Sequence, residues 1–586
     1  MDKIYRTEIK DGMRIEWDVP ITMSDGNVLR ADVFRPIEEG RYPVLISVTP
    51  YGKGIAFYDE NGPYFGAWKT IEAKYPEVLA NNTNKYQCWE CPNPERWTRE
   101  YGYVCVRVDV RGTGRSPGYM NIYSPQEKQD YFECIEWAGT QPWSNGNVGG
   151  SGISYLAINQ WQVAELNPPH LKAICPVEGM TDFYREQHYH GGIMSDISRL
   201  WWPSQITINQ HGCGERGLKN PVTGEWASGP ETLSEEELEK NRHDFATYTN
   251  EHTMMDKYYE ERTPDVSKIK VPILSMGNWG GNGLHLRGNI MGYLDAGSKE
   301  KWLEVHGREH FAEYYTDYGE KLQRDFFDHY LKGEDTWHRP PVMLRVRHPD
   351  EVFVDREENE WPLARTQWTK LYLNNDSMSF AGKPVSSDYI TFDAMGDGAT
   401  YLAPPAEKEL EITGPLAARL FIASSTCDAD IFVTLRLLDP EGNDVTFAGS
   451  NDPHTFIATG WLRASHRKMD PEKSTFYQPY HTHDERQLLT PGKTYELNVE
   501  IWPTSIVVPV GYRLGFTISG CDHELAGDGP WPAGLGLGGV VRGCGPFTHK
   551  YEPNRPEHIF GGKTTLFADE VRPSYILIPV VPSSER

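Results

Sequence analysis

The run Gly149-Gly150-Ser151-Gly152-Ile153-Ser154-Tyr155-Leu156-Ala157 is the stretch of this chain best suited to covalent chemistry. A serine held at a sharp strand-to-helix turn exposes its hydroxyl as a nucleophile, and the strained backbone there demands small neighbours. Gly152 stands two residues before Ser154, as a G-x-S-x-G turn requires. The second glycine is absent: Leu156 takes its place, and Ala157 supplies a small residue one step later. Strand-like sequence precedes the turn and helical sequence follows it, so Ser154 is the expected nucleophile. Ser151 is the rival, still on the strand side of the turn.

A serine nucleophile needs a base, and the base needs a carboxylate that orients it and stabilises its cation. His306 and His310 both follow the strand-like run Trp302-Leu303-Glu304-Val305. His310, past Gly307 and clear of the strand end, is the expected base, with His306 the alternative. The acid belongs on a loop after a neighbouring strand. The segment Gly277 to His285, which follows the run ending at Met276, holds neither Asp nor Glu. Glu178, at the tip of Ile174-Cys175-Pro176-Val177, is the expected acid, with Asp182 second. The other reading of Glu178 is a contact to a lid or to a substrate cation. Oxyanion stabilisation calls for the backbone N–H of Tyr155 and a second donor from the loop Thr49 to Gly54, which carries Tyr51.

Elements that would position these groups are legible on either side. Pro43–Val48 and Tyr103–Val108 are short, β-branched runs of the kind buried in parallel sheets. Ser124-Pro125-Gln126-Glu127 reads as a helix start with a capping box, and the helix puts Tyr131, Ile135 and Ala138 on one face. Tyr155 to Leu166 is a second helical run. Strand, helix, strand is the rhythm of a doubly wound α/β sheet, expected over residues 1–182 and again over 266–340. Residues 183–265 break that rhythm with aromatics, histidines and an acidic helical stretch near Ser234, as an inserted lid would; Trp201-Trp202 there either lines a pocket or packs the lid. From 341 to 586 short strands without helices between them predict a β-sandwich or jelly roll.

The 586 residues exceed what one core can hold, and with 38% hydrophobic residues, 18 Trp and 32 Tyr the composition is globular. A formal charge of −25 would repel phosphate backbones, which argues against nucleic acid. No stretch is apolar enough for a bilayer, so no membrane association is expected. The residues Met1 to Glu8 lack the apolar run of a signal peptide, and nine scattered cysteines suit a reducing cytoplasm. Cys88 and Cys91 form a lone C-x-x-C, read as two loop thiols rather than a metal or redox pair. Homo-oligomerisation is left open.

Taken together, Pro50-Tyr51, Asp109-x-Arg111-Gly112-Thr113-Gly114-x-Ser116-x-Gly118, Gly152-x-Ser154-Tyr155-Leu156 and Phe326-Phe327-Asp328-x-x-Leu331-Lys332-Gly333 resemble the cocaine-esterase and X-prolyl dipeptidyl-peptidase family. The likeness extends to the β-rich end, at Arg555-Pro556 and Phe560-Gly561-Gly562-Lys563-Thr564-Thr565. It implies an α/β-hydrolase core, an inserted helical cap and a C-terminal jelly roll. It also implies that the Tyr51 hydroxyl joins the Tyr155 N–H in the oxyanion hole, with Ser154 and His310 as nucleophile and base. The chain departs from the family at Ala157, at Gly307-Arg308-Glu309 before the histidine, and at Gly280 to Asn282, where the usual Asp is missing. The expected activity is hydrolysis of a small-molecule ester or amide through an acyl-enzyme, with no metal or organic cofactor. Acyl transfer to an amine or alcohol, or X-prolyl aminopeptidase action, are the alternatives.

Overall fold

The structure, a computed structural model, describes residues 6–80, 82–380, 382–384, 388–525 and 543–582. Its first part is built on a parallel sheet. Val104–Asp109, Tyr42–Thr49, Ser144–Ile153, Leu171–Val177, Ile273–Asn278, Lys301–His306 and Val342–His348 lie side by side in that order, each parallel to the next. On the outer side of Val104–Asp109 the antiparallel strands Val28–Arg35, Met13–Thr22 and Arg6–Lys10 continue the ladder. Near-continuous apolar runs form these strands because helices cover both faces: Tyr42–Thr49 and Val104–Asp109 are buried almost throughout.

The order carries a reversal. Chain leaving Tyr42–Thr49 forms its next strand on one side, and the strand after that, Ser144–Ile153, on the other. Such a switch opens a crevice at the carboxyl ends of the two strands, where ligands bind in doubly wound sheets. Tyr51 and Ser154 follow those two strand ends.

The helix Pro125–Thr140 starts as expected, with the Ser124 side chain accepting from the Glu127 N–H, and buries Tyr131, Ile135 and Ala138. The reciprocal half of the expected box does not form. The Glu127 carboxylate instead accepts from the Tyr123 N–H and from the Tyr155 hydroxyl. A true capping box occurs at Ser234 and Glu237. The helix after Ser154 runs Tyr155–Ala164, two residues shorter than expected. The helix Asp317–Phe327 ends in a wider turn over Asp328–Lys332.

Between Val177 and Ile273 the chain forms short helices and the hairpin Tyr189–His190 with Ile193–Met194. From Gln367 onward it is strand-rich, with an apolar core of its own that includes Leu371, Leu420, Val433, Ile501 and Phe516. The strand Val342–His348 joins the two parts by pairing Arg347 with Ile506 of Tyr495–Val508. Among the described residues no helix is long and apolar enough to cross a membrane.

Candidate active site

Ser154 sits between the strand Ser144–Ile153 and the helix Tyr155–Ala164 with φ 55° and ψ −115°. That positive φ is uncommon for a residue with a side chain and marks a strained turn. Gly152 makes the turn feasible: a Cβ there would lie 2.4 Å from the Leu156 Cβ and 3.2 Å from the Glu90 carbonyl oxygen. Leu156 therefore closes over Gly152, and the small residue of the turn is needed before the serine rather than after it. Ser151 is buried on the strand, its hydroxyl 2.8 Å from that of Tyr314.

Tyr51 is carried on a loop that the Asp109 motif holds in place. The Asp109 carboxylate accepts from the backbone N–H of Lys53 at 2.7 Å and of Arg115 at 2.8 Å. Gly114 lies so close that a Cβ would fall 2.3 Å from Asp109 Oδ2. The Tyr51 hydroxyl accepts from Trp201 Nε1 at 3.3 Å. Burial raises its pKa well above the ordinary phenol value, helped by the nearby Glu90 charge, so it remains a proton donor. Trp201 lines the cleft, while its neighbour Trp202 packs against Phe245.

Glu178 and His310 meet. Glu178 Oε2 lies 2.7 Å from His310 Nδ1, and Oε1 accepts from Asn278 Nδ2 at 3.0 Å. His306, the alternative base, lies 3.1 Å from the same Oε1 through Nε2 and faces Glu304 through Nδ1. The Ser450 hydroxyl donates to Glu178 Oε2. Burial alone would raise the Glu178 pKa, but the His310 charge and the hydrogen bonds from the two histidines hold it far below the usual range. Burial opposes a charge on His310 too, yet Glu178 and Glu90 outweigh it and raise the imidazole to about 9. Asp182 and Glu186 lie away from the cleft, paired with Arg185 and Arg287.

Three groups at this site carried no signal in the sequence. Glu90 Oε1 lies 3.1 Å from His310 Nε2, while its Oε2 is buried with no hydrogen-bond partner among the described residues. Burial pushes this carboxyl up to about 7 against the pull of His310. His285 touches Ser154: its Nε2 is 3.2 Å from Ser154 Oγ, and its Nδ1 faces the Gly179 carbonyl at 3.3 Å. With Nδ1–H donating to that carbonyl, Nε2 is left to accept the serine proton. Burial and the His310 charge lower its pKa to about 3, so it is neutral. Its ring lies nearly parallel to that of His310, with centroids 5.2 Å apart. Ser450 is the third. His285 stands in the loop where a carboxylate was sought, so a search of that loop for imidazoles would have found it; Glu90 lies inside the Cys88–Cys91 pair, which marks no carboxylate, and nothing near Ser450 forms a motif.

Ser154, His285, His310 and Glu90 line one cleft of about 510 Å³, walled by Tyr51, Trp89, Tyr123, Trp201 and Phe547, with Glu178 and Ser450 buried behind His310. A nucleophilic hydroxyl, two imidazoles, a buried carboxylate pair and phenolic donors in a mostly aromatic cleft suit acyl transfer.

Comparison with known proteins agrees. The X-Pro dipeptidyl-peptidase (S15 family) profile matches residues 25–312, and the X-Pro dipeptidyl-peptidase C-terminal non-catalytic domain matches residues 335–565. A cocaine esterase from Rhodococcus sp. (strain MB1 Bresler) is 24% identical over 573 residues, covering 86% of this chain and 90% of its own. The structure of a CocE/NonD family hydrolase from Staphylococcus aureus superposes with a TM-score of 0.83 at 31% identity, covering 99% of this chain and 97% of that one. An α-amino acid ester hydrolase shares the fold, with a TM-score of 0.69 at 16% identity over 99% of this chain and 98% of that one.

Proposed function

The chain belongs to the X-Pro dipeptidyl-peptidase (S15) and CocE/NonD family of serine hydrolases, and we propose that Ser154, His310 and Glu178 carry its cleavage of ester or amide bonds. The fold is that of an α/β hydrolase with a C-terminal domain. Within it we read residues 183–265 as a helical cap and 341–586 as a jelly roll.

The contact that carries the reading is Glu178 Oε2 to His310 Nδ1 at 2.7 Å. It gives one imidazole the buried carboxylate that a base must have if it is to hold a proton through an acyl-enzyme cycle. In the first half-reaction Ser154 Oγ attacks the carbonyl carbon and its proton passes to His310 Nε2. The oxyanion is held by the Tyr51 hydroxyl and the Tyr155 N–H. Collapse expels the alcohol or amine, which takes the proton from His310. Water then attacks the acyl-enzyme, its proton moving to His310 and on to Ser154 as the acid leaves.

A second reading has His285 as the base, favoured by its 3.2 Å contact to Ser154 Oγ. Its low basicity and the absence of a carboxylate on its Nδ1 argue that it orients the hydroxyl while His310 takes the proton. Hydrolysis of p-nitrophenyl esters separates the two. Ser154→Ala and His310→Ala lower kcat by about 10³-fold or more, Glu178→Gln by about 10²-fold or more, and His285→Ala by about tenfold. If His285→Ala were as damaging as Ser154→Ala while His310→Ala stayed active, His285 would be the base.

A further inference from the structure

The C-terminal part reaches the cleft through Asn451, Pro546 and Phe547, and the turn Gly449-Ser450-Asn451 carries it on to the acid and the base. Ser450 is 1% exposed, and every polar group on it is used. Its hydroxyl donates to Glu178 Oε2 and lies 3.1 Å from His310 Nδ1. Its carbonyl accepts from the backbone N–H of His310 at 3.0 Å, and its own N–H donates to the carbonyl of Gly280 at 3.1 Å. One residue thus grips the acid, the base and the loop between them.

Gly280 belongs to the segment that lacks a carboxylate, and the C-terminal turn is the physical counterpart of that lack. A Cβ on Gly280 would lie 2.2 Å from the Cα of Gly449, and one on Gly449 would lie 3.0 Å from the Cα of Gly280. Two backbones meet here at a distance only paired glycines permit, so no side chain at 280 fits while Ser450 occupies its place.

We propose that Ser450, although it lies in the C-terminal domain, is a positioning residue of the active site, holding the Glu178 carboxylate against His310. The inference rests on the Glu178–His310 reading above. Glu178 Oε2 receives two donors on the same oxygen, the imidazole and this hydroxyl, and the second keeps the carboxylate from rotating away from Nδ1.

The test uses the full chain and p-nitrophenyl acetate, with Ser450→Ala, Ser450→Thr, Glu178→Gln and the double variant S450A/E178Q. In Ser450→Ala kcat falls about tenfold or more, KM changes less than about twofold, and the acid limb of the pH–rate profile moves to lower pH, because a carboxylate free to turn away from Nδ1 holds the imidazole proton less firmly. Ser450→Thr restores the hydroxyl and with it most of the rate. In the Glu178→Gln background, Ser450→Ala has little further effect. Gly280→Ala, which presses the turn away with Ser450 intact, gives the same loss in kcat. An unchanged kcat and acid limb in Ser450→Ala, or a loss with no shift of the limb and no rescue by Thr, would overturn the proposal. Full activity in Glu178→Gln would instead sink the acid assignment itself, a separable failure.

Discussion

At the scale of single residues, the site is governed by carboxylates competing for one imidazole. Glu178 takes His310 Nδ1, the side from which a base is oriented, whereas Glu90 takes Nε2, the side from which it must act. Both raise the proton affinity of His310, so the resting ring favours its protonated form and becomes a free base as the pH rises toward about 9. This accounts for the Ser154 hydroxyl turning to His285, the neutral ring beside it. Tyr51, Tyr64, Tyr123, Tyr315, Cys91, His285, His306 and Glu178 are among the titratable groups around this pair, and burial keeps the phenols protonated and His285 neutral. Replacing Glu90 by Gln removes one of the two anions. The pKa of His310 then falls, and the acid limb of kcat/KM moves to lower pH; an immobile limb in Glu90→Gln would mean that Glu90 does not bear on the base.

At the scale of elements, the turn at Ser154 shows what fixes a nucleophile in place. The strand delivers Gly152 at φ +152° under the Leu156 side chain, and the helix starts at once with Tyr155. Gly152→Ala therefore introduces both an unfavourable backbone and an overlap 2.4 Å from Leu156 Cβ, whereas Gly102→Ala, at φ +72° in open space, introduces the first alone. Urea unfolding should find Gly152→Ala worse by about 1–3 kcal/mol, with esterase activity lost only in that variant. The same turn explains what was legible beforehand. Ser154, Glu178, Tyr51 and His310 stand at or just past strand ends, so periodicity alone brings them to one edge of the sheet. Glu90 and Ser450 arrive on irregular turns whose position depends on contacts far along the chain, and no local pattern encodes that. Glu127 illustrates the intermediate case: its helix start was legible, but its carboxylate went to Tyr155 because burial offered a closer phenol than the expected backbone partner.

At the scale of the whole molecule, the two parts are fastened by buried charge. Arg287, on the helix Leu286–Asp295, donates to Glu186 at 2.8 Å and to Glu500 of the strand Tyr495–Val508 at 2.9 Å, and is 3% exposed. Arg185 reaches from Asp182 to the carbonyl of His481 in the same way. Arg287→Met leaves two carboxylates without their cation, and a loss of about 3–5 kcal/mol in stability follows. Arg419→Met, which breaks a half-exposed pair with Glu496 on the surface, costs less than about 1 kcal/mol. Denaturant midpoints of the two variants check the contrast. The alternation of strands and helices and the later run of strands announced the two parts in the sequence. The fastening between them was hidden, because pairing Arg287 with Glu500 is a matter of docking, not of periodicity.

The grip of Ser450 on Glu178 and His310 also has a bearing on time. On the reading proposed above, the nucleophile, acid and base have all been made by residue 310, and the strands that carry them can pair as they emerge. The last donor to the acid lies 140 residues beyond the base. A nascent chain halted between those two points would hold a folded sheet and a reactive serine, yet hydrolyse slowly. On the proposed reading, full activity would wait until the turn at Gly449 has been made and docks on Gly280, well after the strands that carry the other groups.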